Sequence, residues 1–234
     1  MKSNINERFV FFKGEIMPIH QANIKITSTT AQYGINVFEG VRCYFNKMED
    51  RLFAFRLQEH INRLFNSAKL IRFNLPEEMN SEYILNNLTD VVRVNKYKED
   101  IYIKIVMFLD DEKGWSSLEP ASIFIDPFPK RRAFSDIVGL DCCVSSWERI
   151  NDADMPPRIK SGANYLNSRI TLLEAKLNGY DYPIILNRNG KVSEGPGACI
   201  FMIRNNNLIT PPVTASILES VTRQSVIEFA MSEF

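Results

Sequence analysis

The sequence predicts an α+β fold divided into two domains, and three observations carry this prediction. Residues 8–26 contain two short aromatic and β-branched runs around a Lys-Gly turn, which is typical of an antiparallel ribbon. Residues 56–71 carry apolar side chains at helical spacing. Residues 126–132 combine two prolines with three cations, as interdomain linkers often do. The expected divisions are a first domain over residues 1–125, a linker over 126–136 and a second domain over 137–234.

Strands and helices follow one another along the predicted first domain. After the ribbon, we expect a short strand at 23–27 and a buried strand at 37–45 that is entered through glycines. The remaining predictions are a strand at 52–55, the helix at 56–71, a second helix after Pro76 that runs through Val92, and strands at 102–109 and 121–125.

The predicted second domain begins with a strand at 139–145. A helix then follows Lys160 and ends at Asn178-Gly179, because glycine readily adopts the left-handed conformation that closes many helices. Asn189-Gly190 predicts a hairpin turn. Strands are expected at 182–187, 198–204 and 208–212, and a last helix at Thr222-Arg223.

Composition excludes several classes of function. Lys and Arg number 28 and so do Asp and Glu, so the formal net charge is zero and gives no general attraction to nucleic acid or to an anionic membrane. The first residues lack the apolar core of a signal peptide, and no apolar run is long enough to cross a bilayer. With two histidines and four cysteines that lack metal-ligand spacing, a zinc site is not expected. A reducing cytoplasm fits this cysteine usage best.

Residues 155–170 place one lysine between a Pro-Pro pair and a run of small residues. The prolines should keep the backbone extended, and residues 161–163 should leave space beside Lys160. A lysine that projects from such a strand end could attack an aldehyde as the neutral amine. The alternative is a surface lysine between two elements, and this stretch alone does not decide between them.

Three further positions could bind charged groups. Arg63 lies close to the apolar stripe of the first long helix, although pairing with Glu59 would also explain it. Glu194 stands between a strand end and a Gly-Pro-Gly loop, which is unusual for a carboxylate that only contacts water. Thr222 stands at a helix start, where a hydroxyl and N–H groups either bind an anion or cap the helix.

Six blocks in this order resemble the class IV (fold type IV) pyridoxal-phosphate aminotransferases, closest to the branched-chain amino-acid aminotransferases. The blocks are YGINVFEGVRCY (33–44), EHINRLFNSAK (59–69), VSSWERI (144–150), IKSGANYLNS (159–168), SEGPG (193–197) and ILESVTR (217–223). The resemblance implies a small N-terminal α/β domain and a larger pseudo-barrel domain, with pyridoxal 5'-phosphate (PLP) between them. It also implies transfer of an amino group from an L-amino acid, branched-chain or aliphatic, to a 2-oxo acid such as 2-oxoglutarate.

The resemblance assigns roles to the candidate residues. Lys160 would hold the cofactor covalently and move a proton at the substrate Cα. Glu194 would bind the pyridine nitrogen, and Tyr165 would bind the ring oxygen O3'. The implied phosphate ligands are Arg63, Val221 and Thr222, and the implied substrate-binding residues are Tyr33, Phe38, Gly40, Tyr102 and Lys104. The loop at 110–120 resembles one that reaches the partner subunit, so a homodimer or higher homo-oligomer is implied.

The chain also departs from the family pattern. Lys104 stands where an arginine usually seats a substrate carboxylate, and Lys130 and Ala133 stand where the linker usually carries aromatic residues. The family pattern continues beyond the last residue of this sequence, so the second domain is expected to be C-terminally incomplete. D-amino-acid or (R)-amine transaminases and aminodeoxychorismate lyases are alternatives of the same fold. A truncated, non-catalytic relative is the alternative from another class.

Overall fold

The computed structural model describes residues 8–131 and 139–233, which fall into two compact units. The first unit contains the described residues up to 131 together with Ser161–Ala163, and the second contains the rest. The last strand of the first unit ends at Pro129 and so overlaps the predicted linker at 126–136. Residues 132–138, including Ala133, lie outside the described residues, and the linker stays a prediction.

A six-stranded antiparallel sheet with the order β2-β1-β6-β5-β3-β4 forms the first unit. Its strands are β1 (Phe9–Phe12), β2 (Glu15–Pro18), β3 (Asn36–Asn46), β4 (Arg51–Ala54), β5 (Ile101–Phe108) and β6 (Ser122–Pro129). The predicted ribbon is confirmed, because β1 and β2 pair around the turn at Lys13-Gly14. The predicted strands at 37–45, 52–55, 102–109 and 121–125 are confirmed with small shifts of their ends.

Two long helices, α2 (Leu57–Leu70) and α3 (Ser81–Asn95), cover one face of this sheet. A short helix, α1 (Thr29–Tyr33), precedes β3. Both long helices were predicted, and α2 packs against β3 while α3 packs against β1 and β6. The Asn80 side chain caps α3 by accepting the N–H of Tyr83 at 3.0 Å.

The alternation of side chains along β3 divides its residues between the two faces of the sheet. Val37, Glu39 and Val41 are buried, whereas Phe38, Gly40 and Arg42 point to the opposite face and are half-buried. A charged residue, Glu39, therefore lies on the helix-covered face with no exposed surface. Burial of an ion is costly unless it is paired, so this carboxylate requires partners on the covering helix.

The second unit contains a parallel strand pair that is joined through a helix. Its elements are β7 (Cys142–Glu148), α4 (Tyr165–Leu177), β8 (Tyr182–Leu186), β9 (Met202–Arg204), β10 (Asn207–Ile209) and α5 (Val221–Glu233). Strands β7 and β8 run parallel, α4 packs against both, and β9 and β10 form a hairpin. Strands and helices thus mix in both units, and the predicted α+β class is confirmed.

Three predicted strands are wrong or too long, and one of them, expected at 208–212, ends at Ile209. Residues 23–27 form no strand, because the N–H of Ser28 donates to the carbonyl of Lys25 at 3.0 Å and closes a turn there. Only residues 202–204 of the predicted strand at 198–204 are strand. The backbone of Ala198 instead pairs with Gly195, with N···O distances of 2.9 and 3.3 Å.

The described residues show neither a helix that could cross a membrane nor a metal-binding cluster. In the parts of the chain that the structure describes, no helix combines the length and the apolar character that crossing a membrane requires. Among the same residues, no group of three or more His, Cys, Asp or Glu side chains is placed to hold a metal ion. The four cysteines are all free thiols.

Candidate active site

Lys160 follows a tight turn of the second unit. The N–H of Ile159 donates to the carbonyl of Pro156 at 3.0 Å, so the Pro-Pro pair begins a turn and the predicted extended strand end is wrong. The buried side-chain amide of Asn164 donates to the same Pro156 carbonyl at 3.0 Å and to that of Ile159 at 2.9 Å. These bonds favour the turn and fix the backbone from which Lys160 projects.

Tyr165, the first residue of α4, lies beside the Lys160 amine. The Nζ of Lys160 is 2.7 Å from the hydroxyl oxygen of Tyr165. The amine also lies 5.0 Å from the centre of the tyrosine ring. The structure thus brings together two of the predicted cofactor-binding residues, since the turn and the start of α4 are only a few residues apart.

The small residues after Lys160 pack within the first unit. Ser161 pairs with Val37 in an antiparallel bridge, and the N–H of Gly162 donates to both oxygens of Asn36, at 3.3 Å to the carbonyl and 3.2 Å to the side chain. A Cβ at Gly162 would lie 2.8 Å from that side-chain oxygen. Close approach to the start of β3 therefore explains the small residue at position 162.

Glu194 is held on a loop with little freedom. Its side chain is 6% exposed, and its Oε2 accepts the N–H of Leu218 at 3.1 Å. Behind it, the Tyr182 hydroxyl donates to the carbonyl of Pro196 at 2.7 Å. A Cβ at Gly195 would lie 2.7 Å from the Tyr182 ring, so a larger residue could not occupy this position without displacing the ring. The prediction that the Glu194 carboxylate does not only contact water is confirmed.

Arg149, which follows β7, is a residue of this site that sequence reasoning missed. Its Nε and Nη2 both lie 2.8 Å from Oε1 of Glu194, and both side chains are almost completely buried. Its Nη1 donates to the side-chain oxygen of Asn167 at 2.9 Å, which fixes the plane of the guanidinium group. Arg149 falls inside the block VSSWERI, but nothing in that block indicates a partner 45 positions away.

Burial dominates the electrostatics of Glu194. Desolvation raises the pKa of its carboxyl above the ordinary glutamate value, and the charge of Arg149, the Leu218 N–H and the charge of Lys160 oppose this rise. Burial likewise raises the pKa of Tyr182 to about 12, with added contributions from Tyr165 and Glu194. A carboxyl group whose pKa is raised gives up its proton less readily, so it can share that proton with a basic nitrogen.

We expect Tyr182→Phe to loosen the Glu194 loop. Loss of the hydrogen bond to Pro196 leaves a carbonyl unsatisfied and should lower the free energy of unfolding by about 1 kcal/mol. Urea denaturation measures this difference. Tyr180→Phe is the matched control, because Tyr180 is 43% exposed and should tolerate the change within about 0.5 kcal/mol. Equal stabilities of the two variants would contradict a supporting role for the Tyr182 hydroxyl.

The predicted phosphate ligands Val221 and Thr222 form the first turn of α5. The Ser220 hydroxyl caps the helix by accepting the N–H of Arg223 at 3.1 Å. Within the described residues, the N–H groups of Val221 and Thr222 have no hydrogen-bond partner, as expected at the start of a helix. Leu218, which binds Glu194, lies three positions before Val221. The start of α5 is therefore tethered to the Glu194 loop.

Arg63, the third predicted phosphate ligand, belongs to the first unit and pairs with Glu39. Its Nε and Nη2 lie 2.6 and 2.8 Å from the two oxygens of Glu39, and Nδ1 of His60 lies 2.7 Å from the same carboxylate. Arg63 and His60 are thus the partners that the buried Glu39 carboxylate requires. Glu59, the alternative partner of Arg63 from the sequence, instead pairs with Arg56 at 2.8 Å. The Glu39 carboxylate thus fixes the orientation of the Arg63 guanidinium group.

Four predicted substrate-binding residues share the sheet face opposite the helices. Gly40 pairs with Lys104 across β3 and β5, and the Tyr102 side chain crosses Gly40. A Cβ at Gly40 would lie 1.6 Å from the Tyr102 hydroxyl, so only glycine admits the ring there. The Lys104 amine lies 5.5 Å from the centre of the Phe38 ring. Tyr33, the fifth, is the last residue of α1 and is 47% exposed.

Arg42 and Lys130 add positive charge to this face. The guanidinium group of Arg42 donates to the backbone carbonyls of Lys130 and Arg131 at 2.7 and 2.9 Å, which fixes the chain beyond β6. The Lys130 amine then lies 4.4 Å from the centre of the Tyr102 ring. Burial, with the charges of Arg42 and Lys104, lowers the pKa of Lys130.

Comparison with known proteins identifies the family. The family "Amino-transferase class IV" matches residues 36–233 of the chain. The protein belongs to the class IV aminotransferases. A probable branched-chain-amino-acid aminotransferase of Aquifex aeolicus is 34% identical over 239 residues, covering 100% of this chain and 75% of the relative.

Solved structures show the same fold as this class IV aminotransferase. The branched-chain amino acid aminotransferase of Thermobaculum terrenum in its PLP form superposes with a TM-score of 0.89 at 38% identity, covering 97% of this chain and 74% of that one. The enzyme of Thermoproteus uzoniensis with norvaline gives a TM-score of 0.89 at 36% identity, covering 96% and 75%. The predicted fold type IV is confirmed, and the chain spans about three quarters of the length of these relatives.

The second unit of this class IV aminotransferase offers the donor set that PLP requires. An amine for the aldehyde and a phenol for the ring oxygen lie 2.7 Å apart, at Lys160 and Tyr165. A buried carboxyl group with a raised pKa, Glu194, suits a ring nitrogen. The start of α5 presents N–H groups of the kind that bind phosphate. These residues fit the cofactor.

Proposed function

We propose that this class IV aminotransferase uses PLP to transfer the amino group of an L-amino acid with a branched or other aliphatic side chain to a 2-oxo acid such as 2-oxoglutarate. The arrangement of Lys160, Tyr165 and Glu194 in the second unit carries the proposal. The names of the most similar relatives and solved structures support the branched-chain class of substrate.

Each of the three residues has a separate task. Bound PLP supplies an electron-withdrawing ring that stabilises negative charge at the substrate Cα. Lys160 would hold the cofactor through its amine and, once substrate replaces it, would move a proton from the substrate Cα to the C4′ carbon of the cofactor. Glu194 holds a proton at the ring nitrogen, and Arg149 keeps that carboxyl group in place. Tyr165 donates its hydroxyl to the ring oxygen.

The remaining predicted residues are assigned by the same proposal. Arg63 and the start of α5, at Val221 and Thr222, bind the phosphate. Tyr33, Phe38, Gly40, Tyr102 and Lys104 bind the substrate. A homodimer and a cytoplasmic location stay predictions, and substitution of each residue tests its role separately.

Substrate profiling of the purified protein tests the proposed function. With PLP and 2-oxoglutarate present, L-leucine, L-isoleucine and L-valine should act as amino donors, and D-alanine and aminodeoxychorismate should not. Release of L-glutamate and of the branched 2-oxo acid in equal amounts is the readout. Turnover of D-alanine alone would overturn the choice of substrate, and absence of PLP binding would overturn the aminotransferase activity itself.

Lys104 should discriminate between 2-oxo acids that carry a second carboxylate and those that do not. In Lys104→Met, we expect the KM for 2-oxoglutarate to rise about tenfold, because a hydrogen bond between charged groups contributes about 1.5 kcal/mol and about 1.4 kcal/mol corresponds to a factor of ten. The KM for 2-oxoisocaproate, whose side chain is apolar, should stay within about twofold. Lys69→Met, on the exposed last turn of α2, is the matched control. An equal rise for both acids would contradict recognition of the second carboxylate by Lys104.

A further inference from the structure

A cavity of about 780 Å³ lies on the helix-covered side of the first unit's sheet. It is formed by the ends of β3, β4 and β5, the start of α2 and the C-terminal half of α3. None of the residues to which we assign cofactor or substrate contacts lines it. Its volume falls in the range of small-molecule binding sites, so its chemical character determines what it could accept.

The floor of this cavity is apolar. Cys43, Leu88 and Ile103 form its deepest part and are each at most 5% exposed. Leu52 and Val92 extend the same surface towards solvent. Burial raises the pKa of the Cys43 thiol to about 12, so this thiol stays neutral and adds no charge to the floor. An aliphatic chain would find a complementary surface here.

The rim of the cavity is strongly positive. Among the residues that the structure describes, its cationic residues are Arg51, Arg93, Lys96 and Lys98, and Asp50 is the one acidic residue that lines it. Asp50 pairs with Lys98, and Arg93 pairs with Asp90 on its own helix. Within the described part of the chain, Arg51 and Lys96 form no ion pair with a carboxylate. The rim therefore has two cations whose charge is not compensated by a neighbouring side chain.

A favourable interaction with the dipole of helix α3 explains only one of these two cations. Lys96 is the C-cap of α3, and a positive charge there stabilises the helix end. Arg51 is the first residue of β4 and belongs to no helix end, yet it lines the same cavity. An apolar floor beneath an uncompensated cationic rim is complementary to a molecule with an apolar tail and one negative charge.

We propose that this cavity binds a small amphipathic anion, an aliphatic carboxylate whose chain lies on the apolar floor and whose carboxylate meets Arg51 and Lys96. The site is separate from the proposed transamination chemistry and does not depend on it. Binding of such a ligand would stabilise the first unit, because it contacts β3, β4 and α3 together.

Isothermal titration with decanoate tests the proposal on the full chain loaded with PLP. We expect one decanoate per chain with a Kd on the order of 1 mM or below. Decyltrimethylammonium has the same tail and the opposite charge, and it should bind at least tenfold more weakly. Absence of decanoate binding would overturn the proposal. Equal binding of the two ligands would do the same, since it would show an apolar surface without charge selection.

Matched variants locate the binding. Val92→Trp fills the cavity and should weaken decanoate binding at least tenfold, whereas Val94→Trp, on the same helix and 43% exposed, should leave it unchanged. Arg51→Gln with Lys96→Gln should weaken binding about tenfold, and Lys47→Gln with Lys69→Gln is the control of equal charge change. If Val92→Trp alters the mass of the particle in solution, a second copy of the chain occupies the cavity and the proposal fails.

Discussion

Lys160→Ala should abolish turnover while leaving the protein folded. The variant loses both the amine that holds the cofactor and the base that moves the Cα proton, so we expect kcat to fall by at least about 10⁴-fold. The visible absorbance of covalently held PLP should disappear at the same time. The substitution removes the hydrogen-bond partner of Tyr165 and a charge that acts on Glu194, but Arg149 stays paired with Glu194, so the apo protein should remain folded.

Two control experiments test whether the effect of Lys160→Ala is specific to Lys160. Lys191→Ala changes an exposed lysine of the same unit and should retain absorbance and turnover. Addition of a small amine such as methylamine to Lys160→Ala should restore part of the proton transfer, since an external base can fill the vacated position. Retained absorbance in Lys160→Ala would show that another lysine holds PLP and would overturn the role of Lys160.

Glu194→Gln should lower kcat by about 10³-fold and preserve the visible absorbance of bound PLP. Glutamine keeps the shape and an acceptor for the Leu218 N–H, but it cannot hold a proton at the ring nitrogen. The same substitution leaves the guanidinium group of Arg149 buried without its anion. Loss of one partner of a buried pair costs about 3–5 kcal/mol, so this variant should also be less stable.

A double variant distinguishes the effect of Glu194→Gln on turnover from its effect on stability. Glu194→Gln with Arg149→Met removes both charges, so most of the free energy of unfolding should return while kcat stays low. Urea denaturation and the rate of glutamate release measure the two quantities on the same samples. Recovery of turnover together with stability would mean that Glu194 only supports the fold.

The sequence predicted the fold well where local pattern and tertiary packing agree. Strand β3 is an apolar run entered through glycines, and α2 carries its apolar residues on one side, so each pattern matches the element that formed. The strand expected at 23–27 failed because a turn at Lys25 to Ser28 satisfies the backbone locally. The extended segment expected before Lys160 failed for a similar reason, since the Asn164 amide satisfies the carbonyls of a turn.

The candidate site was predicted from motifs, and its supporting contacts were not. Lys160, Tyr165 and Glu194 were assigned cofactor roles because their sequence blocks follow one another in a known order, and these roles stay predictions. Arg149 and Glu39 were missed because a single buried ion pair leaves no periodic pattern in sequence. Their partners stand 45 and 24 positions away, at distances in the chain that only the folded backbone determines.

Gly40 has a consequence for attempts to redesign the substrate-binding face that we propose for this aminotransferase. The Tyr102 ring occupies the space where a side chain at position 40 would stand. A library that varies residue 40 alone would therefore displace the Tyr102 ring. Most of its members would show the effect of that displacement and not a new substrate preference. Paired libraries, in which residue 102 shrinks as residue 40 grows, would explore shapes that single substitutions cannot reach.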